Sequence, residues 1–170
     1  MQFMARIIRA AKLETRLYEE IATDEDASSQ ALVVVLLSSL AASIGASTHA
    51  GVGGMVMGGL VALLAWYIWT LLTYILGVKL FPISQTLASH RALWHTLGFA
   101  SAPGVLRVFG AIPGFTGIVF LVAAVWMLIA AVIAVRQALD YTSTVRAAGV
   151  CIPGWLVHVF LLFFLLLLLG

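Results

Sequence analysis

The chain has 170 residues, of which 63% are hydrophobic and only 9% carry a charged side chain. A soluble domain of this length has about a quarter charged residues and roughly half apolar ones. The composition therefore excludes a soluble globular enzyme, a nucleic-acid-binding domain and a disordered segment, and it indicates a protein whose solvent is lipid. The single cysteine, Cys151, can form neither an internal disulfide nor a thiolate metal cluster.

The first predicted element is an amphipathic helix over residues 2–18. At about 100° per residue its four cations fall within roughly a third of the helical wheel, opposite an apolar face. These membrane-surface candidates are Arg6, Arg9, Lys12 and Arg16. Such a helix lies in the membrane interface with its cations near anionic headgroups, or it packs as a solvated helix on the protein's own cytoplasmic face. The sequence leaves both arrangements open.

An acidic segment follows, with five carboxylates between residues 19 and 26. Acids just ahead of a helix stabilise its amino terminus through the helix dipole and by capping free N–H groups. Their spacing does not match a calcium-binding loop, and we expect no metal site here. Residues 1–27 are therefore predicted to be a cytoplasmic amphipathic helix and acidic linker.

Residues 28–170 are predicted to form an all-α, polytopic membrane domain of five transmembrane helices. A span needs about 20 apolar residues to cross roughly 30 Å of hydrocarbon, where every backbone group must be paired internally. The third span is the least apolar, and Pro103 and Gly104 interrupt it. The spans cover approximately residues 30–46, 54–80, 92–111, 115–139 and 145–169.

The loop charges predict the orientation. Residues 47–53 and 111–114 contain no Lys, Arg, Asp or Glu, whereas every cation except Arg107 falls on the opposite side. By the positive-inside rule that side is cytoplasmic, which places the amino terminus inside and the carboxyl terminus outside. Arg107 lies near the outer end of the third span, and we expect its side chain to extend outward.

Small residues predict where two of the helices pack. The second span contains a Gly54-xxx-Gly58 step, and the first carries Ser38, Ala42 and Ala46 at the same spacing. Helices in lipid associate through close backbone approach at such residues, so we expect these two to pack tightly. Self-association through the same glycines is the alternative.

Ionisable groups in the spans are the candidate functional residues, because charge within the membrane is costly. Arg136 and Asp140 are four residues apart and are predicted to pair, either as a structural anchor or in partner binding or ion gating. The break at Pro103 is predicted to be a kink; the alternative is that the broken helix lines a substrate site.

The histidines His95 and His158 are weak candidates for ligands of a haem or pigment. They are expected at different membrane depths, so we predict no cofactor. The sequence contains no GxSxG, HExxH or P-loop motif. Asp140 is the only carboxylate beyond residue 26, which excludes a two-carboxylate mechanism, and we expect no enzyme activity.

Three segments resemble the bacterial branch of the Yip family, the Ypt/Rab-interacting membrane proteins. They are YEEIATDEDASSQAL (Tyr18 to Leu32), LGFASAPGVLRV (Leu97 to Val108) and AVRQALD (Ala134 to Asp140). The resemblance covers roughly residues 6–160. It implies a five-helix domain with its amino terminus inside a bacterial plasma membrane. The chain has no match to the family's Asp-Leu-Tyr-Gly-Pro motif, so Rab binding is not carried over.

These observations lead to three functional hypotheses. The first is a non-catalytic scaffold or accessory subunit, whose partners are the lipid bilayer and other helical membrane proteins or a second copy, with no nucleic acid. The second is a small channel or transporter that uses the broken third helix. The third is a haem- or pigment-binding membrane subunit.

Overall fold

The computed structural model describes residues 2–46, 51–80 and 90–169, which are helical apart from short turns. The prediction of an all-α chain is confirmed for these residues. A π-helical turn, Leu76–Leu80, follows α4, and a 3₁₀ helix, Ala102–Ala111, follows α5. The α-helices are α1 (Gln2–Ala11), α2 (Thr15–Thr23), α3 (Ala27–Ala46), α4 (Gly51–Ile75), α5 (His90–Ala100), α6 (Thr116–Ala138) and α7 (Thr144–Leu169).

Three helical segments are long and apolar enough to cross a membrane. They are Ala27–Ala46, Val52–Val78 and Thr116–Ala138, and they correspond to the first, second and fourth predicted spans. The chain is therefore a helical protein with candidate transmembrane helices, as its composition indicates.

The third predicted span is not one continuous α-helix. The α-helix ends at Ala100, and the 3₁₀ helix begins at Ala102 with Pro103 in its first turn. Pro103 has no N–H group and cannot donate to a carbonyl one turn back. The chain instead makes bonds between residues three apart, from Ser101 N to Gly98 O at 3.2 Å and from Gly104 N to Ser101 O at 2.9 Å.

Helix α5 lies in the middle of the bundle. Its side chains Leu93, Leu97 and Phe99 are fully buried, and it contacts α2, α3, α4 and α6. The 3₁₀ helix continues between α3 and α6. Helix α5 and the 3₁₀ helix together form an inner segment, residues 90–111, which contacts the surrounding helices and holds them together.

The predicted helix over residues 2–18 is broken after Ala11. Leu13 adopts a left-handed conformation with φ 61°, and its N–H donates to Ala10 O at 3.0 Å. The next N–H, of Glu14, donates to Arg9 O at 3.1 Å. Together these bonds form a Schellman motif, which ends α1 and lets the chain reverse into α2.

The pair α1–α2 packs along the side of the bundle. Leu17, Tyr18 and Ile21 of α2 are fully buried, and Trp126 Nε1 donates to Ala11 O at 2.9 Å. Trp126 lies twelve residues before the end of α6 at Ala138. At 1.5 Å per residue that is about 18 Å along the helix axis, so the turn between α1 and α2 lies well away from that end.

Helix α3 approaches the inner segment through residues that lie seven apart. Ala31 faces Gly98, Ser38 faces Gly104, and Gly45 faces the backbone carbonyl of Arg107. At Gly98 a Cβ atom would be 2.6 Å from Ala31 Cβ, closer than any ordinary contact. The small residues of α3 therefore set the distance between the two helices.

Ser38, although it belongs to the small-residue step of the first predicted span, packs on Gly104 of the 3₁₀ helix. Helices α3 and α4 meet instead through Ser43, whose hydroxyl donates to Met55 O. Gly58 faces Ser43, with 3.3 Å from its Cβ position to Ser43 Oγ, and both Gly54 and Gly58 are exposed.

The close approach of Gly98 to Ala31 predicts the effect of adding one methyl group at Gly98. Replacing Gly98 by alanine should lower the free energy of unfolding by about 1–3 kcal/mol, because the new Cβ meets backbone as well as side-chain atoms of Ala31. Thermal unfolding of the purified protein in detergent measures the change. Gly117→Ala is the matched control, since Gly117 lies in α6 with open space around its Cβ position. Equal melting temperatures for both variants would contradict the packing described.

Candidate functional site

A small cavity with several polar groups in its wall lies between α3, α4, the 3₁₀ helix, α6 and α7. Its volume is about 50 Å³. Most of the bundle contributes to its wall, and the cavity is partly open to the outside of the bundle. The polar and aromatic residues that line it are Ser38, Ser39, Trp66, Ser101, Arg107 and Trp155.

The break in the third predicted span brings two of these side chains to the cavity. Ser101 is the single residue between α5 and the 3₁₀ helix, and its hydroxyl donates to Leu97 O at 3.2 Å. Arg107 follows within the 3₁₀ helix. Between them, Gly104 has no side chain, which lets Ser38 of α3 and Met127 of α6 approach each other at the cavity wall.

Arg107 does not extend freely outward, contrary to the expectation from its position in the sequence. Its Nη2 contacts Met127 Sδ at 3.1 Å, and its guanidinium carbon lies 5.7 Å from the centroid of the Phe120 ring. Its Nε is buried and has no hydrogen-bond partner among the described residues. The neighbouring sulfur and aromatic ring are soft, uncharged contacts that do not neutralise the guanidinium.

Trp66 brings a second buried donor to the same cavity. Its Nε1 has no hydrogen-bond partner among the residues that the structure describes. Its ring packs edge to face on Trp94 of α5, with 4.9 Å between centroids and 75° between planes. The packing fixes the indole in place, so its N–H is held in a defined position.

The polar lining consists of N–H donors and hydroxyl groups. Among the described residues, no carboxylate contributes to the wall of this cavity. A hydroxyl can donate as well as accept, whereas a guanidinium and an indole only donate. The arrangement therefore suits a hydrogen-bond acceptor.

His95 links α5 to α2 and α3 by hydrogen bonds and is not positioned as a ligand of a haem or pigment. Its Nδ1 lies 3.1 Å from Ile21 O, and its Nε2 lies 2.6 Å from Ser28 Oγ. A carbonyl only accepts, so Nδ1 carries the proton, and Nε2 of the neutral ring accepts from the hydroxyl. Both nitrogens are engaged, which leaves neither for an iron atom in this arrangement. The side chain of His158 lies outside the described residues.

The predicted pair of Arg136 and Asp140 is not formed. Helix α6 ends at Ala138, and Asp140 takes the left-handed conformation with φ 53° in a second Schellman motif. Asp140 N donates to Gln137 O, and Tyr141 N donates to Arg136 O. The four-residue helical spacing is thereby lost. Arg136 donates instead to Tyr141 O at 3.3 Å and to Thr144 Oγ1 at 3.0 Å, which joins α6 to α7.

Two of the four predicted membrane-surface cations form ion pairs within the chain. Arg6 pairs with Asp24 at 2.6 Å and donates to Gln30 Oε1 at 3.0 Å. Arg9 lies between Glu14, at 2.7 Å, and Glu20, at 2.8 Å. The acidic segment therefore binds the basic face of α1 as well as preceding α3.

Lys12 and Arg16, the other two cations, are exposed. Over the described ranges no three His, Cys, Asp or Glu side chains come together in a way that could hold a metal ion.

Apart from Arg107, and from Ser38 as a packing residue, the lining residues were not singled out from the sequence. Serines and tryptophans are common in membrane helices, and nothing in their spacing marks them. One signal was available, because Arg107 is a cation in an apolar span with no acid in the later part of the chain other than Asp140. An intramembrane cation without a partner indicates a functional group.

The ion pairs of α1 and α2 predict a dependence on pH. Hydrogen bonds from Arg9 hold the pKa of Glu14 and of Glu20 below its usual value, and Arg6 does the same for Asp24. A carboxylate with a lowered pKa in the folded state stabilises that state at pH values above the usual carboxyl range. This stabilisation is lost as the groups become protonated. Protection of the α2 amides from hydrogen exchange should therefore fall as the pH drops below about 4.

The variant Glu20→Gln should show reduced protection already at neutral pH, because it removes one partner of Arg9. Glu19→Gln is the matched control, since Glu19 is exposed on the same helix turn. Unchanged protection down to about pH 3 would show that the ion pairs do not hold α2 in place.

Comparisons of the chain with protein-family models, curated proteins and solved structures find no match.

Proposed function

We propose that this chain is a non-catalytic, Yip-like integral membrane protein that acts as a scaffold or accessory subunit. In this proposal one face of α4 packs against a transmembrane helix of another membrane protein. The resemblance of the three sequence segments and the absence of a catalytic motif support it.

The five-span layout, with a cytoplasmic amino terminus in a bacterial plasma membrane, is part of the proposal. Helix α7 has 26 residues, which is long enough for a span. The 11 residues of α5 and the 10 of the 3₁₀ helix would together extend about 36 Å, because a 3₁₀ helix rises further per residue. The loop charges support the orientation.

The observation that carries the proposal is an exposed heptad pattern on α4. Met57, Leu60, Leu64, Tyr67 and Leu71 are all exposed, and they follow one another at steps of three and four residues. This is the spacing of the a and d positions through which membrane helices pack at small left-handed crossing angles.

A groove beside this pattern provides a complementary surface. It has a volume of about 350 Å³ and lies between α3, α4 and α5, with Leu32, Trp66 and Trp94 in its wall. The aromatic rings are braced against one another, since Tyr67 also meets Trp94 edge to face at 6.0 Å. A rigid apolar groove next to a ridge is the surface into which the side chains of a neighbouring helix fit.

Site-specific photocrosslinking tests the proposal. A photoreactive residue in place of Leu64, which lines the groove, should give a discrete crosslinked protein band in native membranes. Leu121 of α6 is the matched control, because it is a leucine with 66% exposure away from α4. We expect that position to react with lipid only.

Three outcomes distinguish the occupants of the groove. A band containing another membrane protein supports an accessory role, and a band at twice the chain's mass identifies a second copy as the partner. Lipid adducts alone at both positions would contradict the scaffold proposal.

A second candidate function, a small channel or transporter, is favoured by one specific observation. The α-helix ends beside the internal cavity, and the residues around Pro103 are buried within the bundle. Interrupted helices that line a cavity occur in transporters. Liposomes containing the purified protein should then pass small solutes faster than empty liposomes, and equal rates would reject this candidate.

A further inference from the structure

The charge of Arg107 is not balanced within the described part of the chain. Six of the seven carboxylates lie at or before residue 26, and the seventh, Asp140, is exposed. The contacts of its guanidinium are Met127 Sδ and the Phe120 ring, and neither carries a charge. A cation held among apolar helices is strongly disfavoured unless an anion or several hydrogen-bond acceptors accompany it.

Two buried donors at the same cavity have no acceptor among the residues that the structure describes. They are Arg107 Nε and Trp66 Nε1, and both residues line the cavity wall. A buried N–H group without a partner is uncommon in a native structure, because it has lost its bond to water and gained nothing. The hydroxyls of Ser38 and Ser39 line the same space and can turn to donate.

The size of the cavity limits what can accept these bonds. A volume of about 50 Å³ holds one halide-sized ion, or a water molecule or two in its place, since a water occupies about 30 Å³ in the liquid. A phospholipid headgroup or a nucleotide does not fit. Five helical elements of this chain form the wall, so the chain itself supplies the donors around the space.

We propose that this cavity is a binding site for a small inorganic monovalent anion of halide size. The charge of Arg107 attracts the ion, and the N–H groups of Arg107 and Trp66, with the serine hydroxyls, bind it. The site rests on neither of the functions proposed above, because an anion bound in the bundle can serve as a structural component in either case.

Thermal unfolding of the full chain in an uncharged detergent tests the proposal. The melting temperature should be several degrees higher in sodium chloride than in sodium gluconate of equal concentration, because gluconate is too large for the cavity. The difference should grow with the logarithm of the chloride concentration, as for any ligand that binds only the folded state. Equal melting temperatures in both salts would overturn the proposal.

Three variants locate the effect. Arg107→Gln should abolish the chloride dependence, and Trp66→Phe should reduce it, because each removes a donor at the cavity. Arg146→Gln is the matched control, since Arg146 is an exposed arginine elsewhere in the bundle. Chloride dependence that persists unchanged in Arg107→Gln would place the ion elsewhere and reject the site.

A crystallographic experiment with the unaltered protein decides the matter even where a variant does not fold. Bromide replaces chloride, and its anomalous scattering marks its position. A peak within hydrogen-bond distance of Arg107 and Trp66 supports the proposal. Bromide peaks confined to the surface, or ordered water alone in the cavity, would exclude it.

Discussion

The close approach of α3 to the inner segment is the constraint on which the rest of the bundle depends. Ala31 against Gly98, Ser38 against Gly104 and Gly45 against the carbonyl of Arg107 leave no room for a larger side chain. Van der Waals contact at small residues is the main attraction between helices in lipid, where burial of apolar surface gives no advantage. The same contacts fix the 3₁₀ helix and thereby the position of Arg107 beside the cavity.

Much of the fold follows from the sequence, because long apolar segments in a membrane have few alternatives to helix. The first, second and fourth predicted spans coincide with helices long enough to cross a bilayer. The break at Pro103 was predicted, but its form was not, since a missing N–H group tells where an α-helix ends and not that ten residues of 3₁₀ helix follow. The five-span topology and its orientation stay predictions.

The predictions that were wrong failed for local structural reasons that the composition does not reveal. Two helices end in Schellman motifs whose left-handed residues are Leu13 and Asp140, where glycine is the usual signal. The first ended the predicted amphipathic helix early, and the second removed the pairing of Arg136 with Asp140. The cavity could not be predicted either, because its wall comes from five elements. Only Arg107, a cation with no nearby acid in the sequence, pointed to it.

The bond between Trp126 and Ala11 has a consequence for biogenesis. It joins residues 115 apart in the sequence, so α1 and α2 leave the ribosome long before the surface they cover exists. Until α6 has been made and inserted, the newly synthesised α1–α2 pair cannot dock. Its carboxylates can already bind its own arginines at this stage. Docking of this pair is therefore a late step in assembly, and it closes over α5 only when the helices around it are in place.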